Sequence, residues 1–259
     1  MANFEGAVSE FMRSPVHKAD VTDSLTDIYA RLGKLRISSL PVMKGDELVG
    51  VISRSDLLRV GRREAGTGSA AKVLAFPAAT VGDEMTEGAF TVRPDDTLSS
   101  AAGIMIKKYV HRVYVVDDTG LVGVLSTYDL ICAVRDKAVN HPINEHMSKP
   151  VFTVRAEEPV SVATDRLARA HITGLVVLED DWPVGVFRQV EALGSRSLPR
   201  ETRTDEMMDP AMLCMPDTTK LGRAAQQMAS MRARRIIVVR KRQVEGILSG
   251  LDFARFVAR

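Results

Sequence analysis

Cysteine is scarce. The 259-residue chain holds two, Cys132 and Cys214, too few for a disulfide framework at this length. Cys132 lies in the apolar run Leu130-Ile131-Cys132-Ala133-Val134 and is expected to be a buried filler. Charge of one sign is lacking as well. Against 33 acidic side chains stand 35 basic ones, a formal net charge of +2, which is no electrostatic footprint for nucleic acid or an anionic membrane. The one dense basic stretch is Arg232, Arg234, Arg235, Arg240, Lys241 and Arg242. No uninterrupted apolar run approaches the ~20 residues of a membrane helix. Met1 to Gly6 lack a basic region followed by an apolar one, so a cytoplasmic location without a membrane is expected.

Catalytic hallmarks are missing too. The sequence has no Gly-x-x-x-x-Gly-Lys-Ser/Thr phosphate loop and no Gly-x-Gly-x-x-Gly after a strand. Cys132 has no histidine nearby in sequence, and nothing suggests a nucleophilic triad. Carboxylate pairs such as Asp95-Asp96, Asp117-Asp118 and Asp180-Asp181 fall in turns, where aspartate is favoured for local reasons. His141, Glu145 and His146 form the one metal-like cluster. It spans Pro142 at a boundary between segments, and no metal is expected there. Helix-turn-helix and zinc-finger spacings do not occur. An enzyme is not expected.

What the chain does have is a repeat. Gly50-Val51-Ile52-Ser53-Arg54-Ser55-Asp56-Leu57 returns as Gly123-Val124-Leu125-Ser126-Thr127-Tyr128-Asp129-Leu130 and as Gly246-Ile247-Leu248-Ser249-Gly250-Leu251-Asp252-Phe253. A weaker copy, Gly185-Val186-Phe187-Arg188-Gln189-Val190-Glu191-Ala192, lies between them. The four glycines are 73, 62 and 61 residues apart. Met12, Met85, Met147 and Met207 keep nearly the same register, at 73, 62 and 60. The extra residues of the first interval, Gly61 to Ser69, have linker composition.

Each copy predicts the same elements. A helical turn ends near the methionine. A brief strand follows, clearest at Phe90-Thr91-Val92-Arg93 and Phe152-Thr153-Val154-Arg155. Then comes a helix whose apolar stripe, in the second copy, is Leu98, Ala101, Ala102, Met105 and Ile106, opened by Pro94-Asp95-Asp96-Thr97. Val113–Val116 and Leu121–Leu125 read as two strands joined by a turn at Asp117 to Gly120. A closing helix begins at Ser126. The expected fold class is α/β, in detail α+β, with four β-α-β-β-α units. A sixty-residue unit buries only ~60% of its chain surface and has reason to pair. The expected domains are 1–136, holding repeats at about 8–60 and 81–134 with a linker at 61–80, and 140–259, holding repeats at about 143–196 and 204–259.

These motifs resemble the cystathionine-β-synthase (CBS) domain family. The likeness rests on the methionine register, the helix, the strand start His111-Arg112-Val113-Tyr114-Val115-Val116-Asp117, and Gly-hydrophobic-hydrophobic-Ser-x-x-Asp, and it covers nearly the whole chain outside about 61–80. It implies tandem pairs, known as Bateman modules, each with pseudo-two-fold symmetry and two clefts that hold adenosine-containing ligands. In the family, the aspartate of Ser-x-x-Asp binds a ribose diol and the serine, at a helix start, a phosphate. These roles would fall on Ser53 and Asp56, Ser126 and Asp129, and Ser249 and Asp252. The same tetrad is close to a capping box, worth ~1 kcal/mol as a cap alone, and both readings stand. His111 and Arg112, and Arg234 and Arg235 in repeat four, occupy the strand start where the family pairs arginine with phosphate. Their counterparts, Ser38 and Ser39 and Thr173 and Gly174, are neutral.

The resemblance combines the aspartate of one repeat with the basic strand start of its partner, so the best-equipped cleft would join Ser53 and Asp56 with His111 and Arg112. Thr91, in Ala89-Phe90-Thr91-Val92, would line an adenine slot, whereas Phe90 reads as core. Arg188 and Glu191 break the pattern in repeat three, and Arg188 is expected as a solvated charge. The implied function is a non-catalytic, adenine-nucleotide-binding regulatory protein. Its ligand would be AMP, ADP or ATP, with S-adenosylmethionine or NAD behind them. A homodimer built through the CBS discs and a regulated enzyme or transporter are the implied partners. Two alternatives are an architectural dimerisation or docking module without ligand, and nucleic-acid binding through the basic fourth repeat.

Overall fold

The computed structural model of the protein describes residues 4–65, 72–137 and 139–259. Repeat one runs from a helical turn at Val8–Glu10 through β1 (Ala19–Asp20), α1 (Leu25–Lys34), β2 (Ser39–Lys44), β3 (Glu47–Ser53) and α2 (Arg54–Val60). Strands β4 (Arg62–Ala65) and β5 (Lys72–Ala75) then form an antiparallel hairpin. The expected linker at 61–80 therefore carries ordered structure on both sides of residues 66–71, which lie outside the described residues. Repeat two follows with α3 (Val81–Glu84), β6 (Thr86–Glu87), β7 (Thr91–Val92), α4 (Leu98–Lys107), β8 (Arg112–Asp117), β9 (Gly120–Ser126) and α5 (Thr127–Asp136). Repeat three has a turn at Ile143–Glu145, β10 (Thr153–Arg155), α6 (Val160–Arg169), β11 (Gly174–Glu179), β12 (Trp182–Arg188) and α7 (Gln189–Gly194). Repeat four has a turn at Thr204–Glu206, β13 (Cys214–Pro216), α8 (Leu221–Met231), β14 (Arg235–Arg240), β15 (Gln243–Ser249) and α9 (Gly250–Val257).

Local chemistry explains these elements. Thr97, in extended conformation, caps α4 by accepting the Ser100 N–H at 3.1 Å, and Leu98, Ala101, Ala102 and Met105 bury one face. Ser24 does the same for α1. The hairpin of β8 and β9 turns between Asp117 and Gly120, where the Asp117 carboxylate accepts from the Thr119 N–H at 2.8 Å. Each long helix of a repeat is followed by a left-handed residue: Arg36, Tyr109, His171 and Arg232, with φ of 54°, 52°, 51° and 51°. Their spacing of 73, 62 and 61 is that of the glycines, yet none is glycine.

The chain forms two compact units, each with its own core. The first comprises Met1–Val16, Phe90–Val151 and Met212–Arg259. It joins the bodies of repeats two and four: α5 packs on α8 and α9, and α4 on α9. Leu98, Met105, Val113 and Leu130 share a core with Leu221, Met228, Ile236 and Phe253. The helix starts of α5 and α9 come so close that a Cβ on Gly250 would sit 2.3 Å from Thr127 Oγ1. The second unit, His17–Ala89 and Phe152–Ala211, joins the bodies of repeats one and three. There α2 packs on α7, Gln189 Nε2 donates to Ser55 Oγ at 2.7 Å, and Leu25, Ile28, Leu40 and Leu57 share a core with Val160, Leu167, Leu175 and Phe187.

Within each unit the segment after a marker methionine leaves its own repeat and pairs with the glycine-bearing strand of another. Arg13 pairs with Val124, Ser148 with Ile247, Thr86 with Val51 and Asp209 with Val186. The recurrence of glycine at this place in the repeats follows from this contact, because a Cβ would meet methionine sulfur at 2.3 Å (Gly123 and Met12), 2.7 Å (Gly50 and Met85) and 2.5 Å (Gly246 and Met147). In the fourth case the partner of Gly185 is Met208, at 2.5 Å, and not the expected Met207. Counting from Met208 makes the last methionine interval 61, equal to that of the glycines.

Candidate functional site

The Ser-x-x-Asp tetrads sit where β3, β9 and β15 pass into α2, α5 and α9. In each, the aspartate turns back onto its own helix start. Asp56 Oδ2 accepts from the Ser53 N–H at 2.8 Å and its hydroxyl at 2.6 Å. Asp129 does so from Ser126 at 2.8 and 2.6 Å, and Asp252 from Ser249 at 2.6 and 2.7 Å. These are capping boxes. The next helix N–H is used as well: those of Arg54 and Thr127 donate to the carbonyls of Ser38 and His111, each at 2.9 Å. The carboxylates are buried, with Asp56 at 9%, Asp129 at 6% and Asp252 at 1% exposure.

The second carboxylate oxygen meets the exchanged segment, at the residue after the methionine. Arg13 Nε donates to Asp129 Oδ1 at 2.8 Å, with its guanidinium 5.1 Å from the Tyr128 ring centre. Ser148 Oγ donates to Asp252 Oδ1 at 2.6 Å, and Arg255 also reaches that oxygen. The match in repeat one is looser: Thr86 Oγ1 lies 3.4 Å from Asp56 Oδ1, and an Arg59 guanidinium nitrogen 3.9 Å. Sequence reasoning missed this set, Arg13, Thr86, Ser148 and Asp209. Its one signal was the fixed place after a marker methionine.

Repeat three reaches the same geometry with other residues. Glu191 accepts from the Arg188 N–H at 2.8 Å, and Arg188 also bonds Glu191 Oε1 at 2.7 Å and Asp209 at 2.6 Å. The hydrogen bond to Glu191 is the main cause that raises the Arg188 pKa. Arg188 is thus a paired, half-buried group and not the solvated charge expected.

Strand register sets the basic residues beside the serines. Arg112 stands opposite Ser126 and Arg235 opposite Ser249, as Ser39 stands opposite Ser53 and Gly174 opposite Arg188. The first unit brings both basic strand starts into one electrostatic cluster. His111 is exposed as a whole residue, while its titrating ring is largely desolvated. Burial first, and then Arg112, Arg235 and Arg234, lower its pKa to about 4, so it is neutral at pH 7. The first unit therefore holds Thr91, His111, Arg112, Ser126, Asp129, Arg234, Arg235, Ser249 and Asp252, while Ser53 and Asp56 lie in the second. The expected combination of Ser53 and Asp56 with His111 and Arg112 draws on both units and remains a proposal.

Other expectations shift. Phe90 is 40% exposed and not core, with Lys108 Nζ 5.2 Å from its ring centre. Thr91, on β7 opposite Tyr114, is exposed. Cys132 is half-buried rather than buried, and desolvation raises its thiol pKa. The basic stretch of repeat four is divided. Arg240 meets Glu245 at 3.4 Å and Asp217 at 3.8 Å, and Arg232 ends α8. Two open hollows, of ≈ 460 and ≈ 470 Å³, are lined by other residues than the tetrads. Among the described residues no helix is long and apolar enough to cross a membrane.

The sequence model of the CBS domain matches residues 8–63, 81–136, 143–194 and 205–259. A Methanocaldococcus jannaschii protein, MJ1426, is 30% identical over 152 residues, covering 49% of this chain and 90% of that protein. Another from the same organism, MJ1232, is 28% identical over 122 residues, 47% of this chain and 40% of that one. Homoserine O-acetyltransferase of Methanohalobium evestigatum is 30% identical over 102 residues, 39% of this chain and only 20% of the enzyme. Among solved structures, M. jannaschii MJ1225 superposes with a TM-score of 0.83 at 16% identity, over 97% of this chain and 99% of that one. A Pyrococcus horikoshii protein superposes at 0.70 with 19% identity, over 97% and 100%. Both likenesses show the fold.

Proposed function

This chain belongs to the CBS domain family, and we propose that it is a regulatory module, without catalysis of its own, that binds an adenine nucleotide. The favoured ligands are AMP, ADP and ATP, ahead of S-adenosylmethionine or NAD. The observation that carries this reading is the convergence of His111, Arg112, Arg234 and Arg235 in one unit. Positive side chains gathered at one place suit the negative charge of a phosphate. Arginine's planar fork suits phosphate oxygens. Ser126 and Ser249, across the strand pairs from Arg112 and Arg235, add hydroxyls at two helix starts.

A ribose diol at Asp129 or Asp252 replaces Arg13 or Ser148 as partner of the second carboxylate oxygen. Asp56, with contacts of only 3.4 and 3.9 Å there, has the most freedom to accept a diol. Self-association as a homodimer, docking of an enzyme or transporter, and action in the cytoplasm belong to the same proposal.

Calorimetric titration with AMP, ADP, ATP and S-adenosylmethionine tests it. Saturable heat with at least one, weakened in the Arg234→Ala/Arg235→Ala variant, is expected. Absence of both heat and thermal shift with all four leaves the second reading, an architectural module. That reading is favoured by one observation: all the tetrad carboxylates are satisfied as helix caps within the protein.

A further inference from the structure

We propose that His141, Glu145 and His146 form a binding site for a divalent transition-metal ion of the zinc type. Its three residues are other than those of the tetrads and of the basic cluster. Ligand-capable atoms of the three side chains all lie within 4.8 Å of one another. His141 Nδ1 and Glu145 Oε2 are 3.4 Å apart. Two ligands on a tetrahedral zinc, with bonds of about 2.0–2.2 Å, stand roughly 3.3–3.5 Å from each other, so this pair already has the required separation.

The second observation is independent. His146 is 8% exposed, and its Nε2 is buried with no hydrogen-bond partner among the described residues. A buried, unpartnered ring nitrogen calls for an explanation, and an ion is one. The rings of His141 and His146 meet edge-on at 5.6 Å, and Phe256 packs against both, at 5.8 and 5.1 Å.

The sequence argued against a metal because Pro142 interrupts the cluster. In the structure Pro142 sets the extended residue just before the turn Ile143–Glu145, and the backbone around it is pinned. His141 O accepts the Leu221 N–H at 2.7 Å, and the Ile143 N–H donates to Thr219 O at 2.8 Å. Two imidazoles and one carboxylate favour zinc or cobalt over magnesium or calcium, which prefer oxygen. Three protein ligands leave a fourth position for water.

The test uses the full chain, stripped with a chelator and titrated with Co²⁺ and then Zn²⁺. One equivalent of Co²⁺ should give the intense visible bands of a tetrahedral site, and Zn²⁺ should abolish them. His141→Ala and Glu145→Gln change exposed side chains, so their folding can be checked by circular dichroism. Each should weaken binding by more than about tenfold, the loss that even an outer-shell partner of a metal site can cause. Absence of the cobalt bands, preference for Mg²⁺, or unchanged affinity in both folded variants would overturn the proposal.

Discussion

The two units are built alike and charged differently. Each joins two repeat bodies through their helices and accepts two exchanged segments. In the first unit the strand starts are His111-Arg112 and Arg234-Arg235; in the second they are Ser38-Ser39 and Thr173-Gly174. The strand register at these places is the same in all four repeats. The scaffold thus does not depend on what the strand start carries, and the basic strand starts are confined to one unit. The helix-start carboxylates behave in the opposite way. They cap helix starts in both units and belong first to the scaffold.

The largest effect that sharpens this contrast is on ligand affinity. Each charge-assisted hydrogen bond contributes about 1.5–3 kcal/mol, so Arg234→Ala/Arg235→Ala should weaken nucleotide binding about a hundredfold or more by calorimetry. Thr173→Ala, at the matching neutral position of the second unit, should leave affinity unchanged. Equal losses from both variants would erase the distinction between the units.

Stability separates the carboxylates. Asp252 is almost fully buried and accepts from Ser249, Ser148 and Arg255, whereas the second oxygen of Asp56 has only long contacts. Urea denaturation should show a loss of about 3 kcal/mol for Asp252→Ala and about 1–2 for Asp56→Ala. The glycines under the methionines give a smaller contrast. A Cβ at Gly50 or Gly185 would come within 2.6 or 2.9 Å of a backbone carbonyl, of Thr86 or Asp209. At Gly246 the nearest carbonyl is 3.2 Å away, and the close atom is the flexible Met147 sulfur. Gly50→Ala and Gly185→Ala should therefore cost about 2–3 kcal/mol and Gly246→Ala about 1, within the usual range of overpacking.

Much of this was legible in the sequence. The glycine and methionine registers announced four repeats, and Leu98, Ala101, Ala102 and Met105 announced the buried face of α4. The tetrads could be read as caps or as ligand groups, and the structure shows that they are caps whatever else they do. What stayed hidden is tertiary. Arg13 and Ser148 close carboxylates more than 100 residues away, 116 for Arg13 and 104 for Ser148, and no local pattern encodes such a pairing. The left-handed ends at Arg36, Tyr109, His171 and Arg232 were invisible because glycine is the usual signal there. Phe90 reads as core from its neighbours but sits at an open strand start.

His111 reports directly on the basic cluster. Its folded pKa of about 4 lies below the ordinary 6.5, so its contribution to stability is present above pH 6.5 and fades as the pH falls toward 4. A phosphate held by Arg112, Arg234 and Arg235 should raise that pKa. The decisive measurement is an NMR titration of the His111 ring with and without saturating AMP. A midpoint near 4 in the free protein that moves up with AMP is predicted. A midpoint that AMP leaves in place would contradict the assignment of this cluster to phosphate.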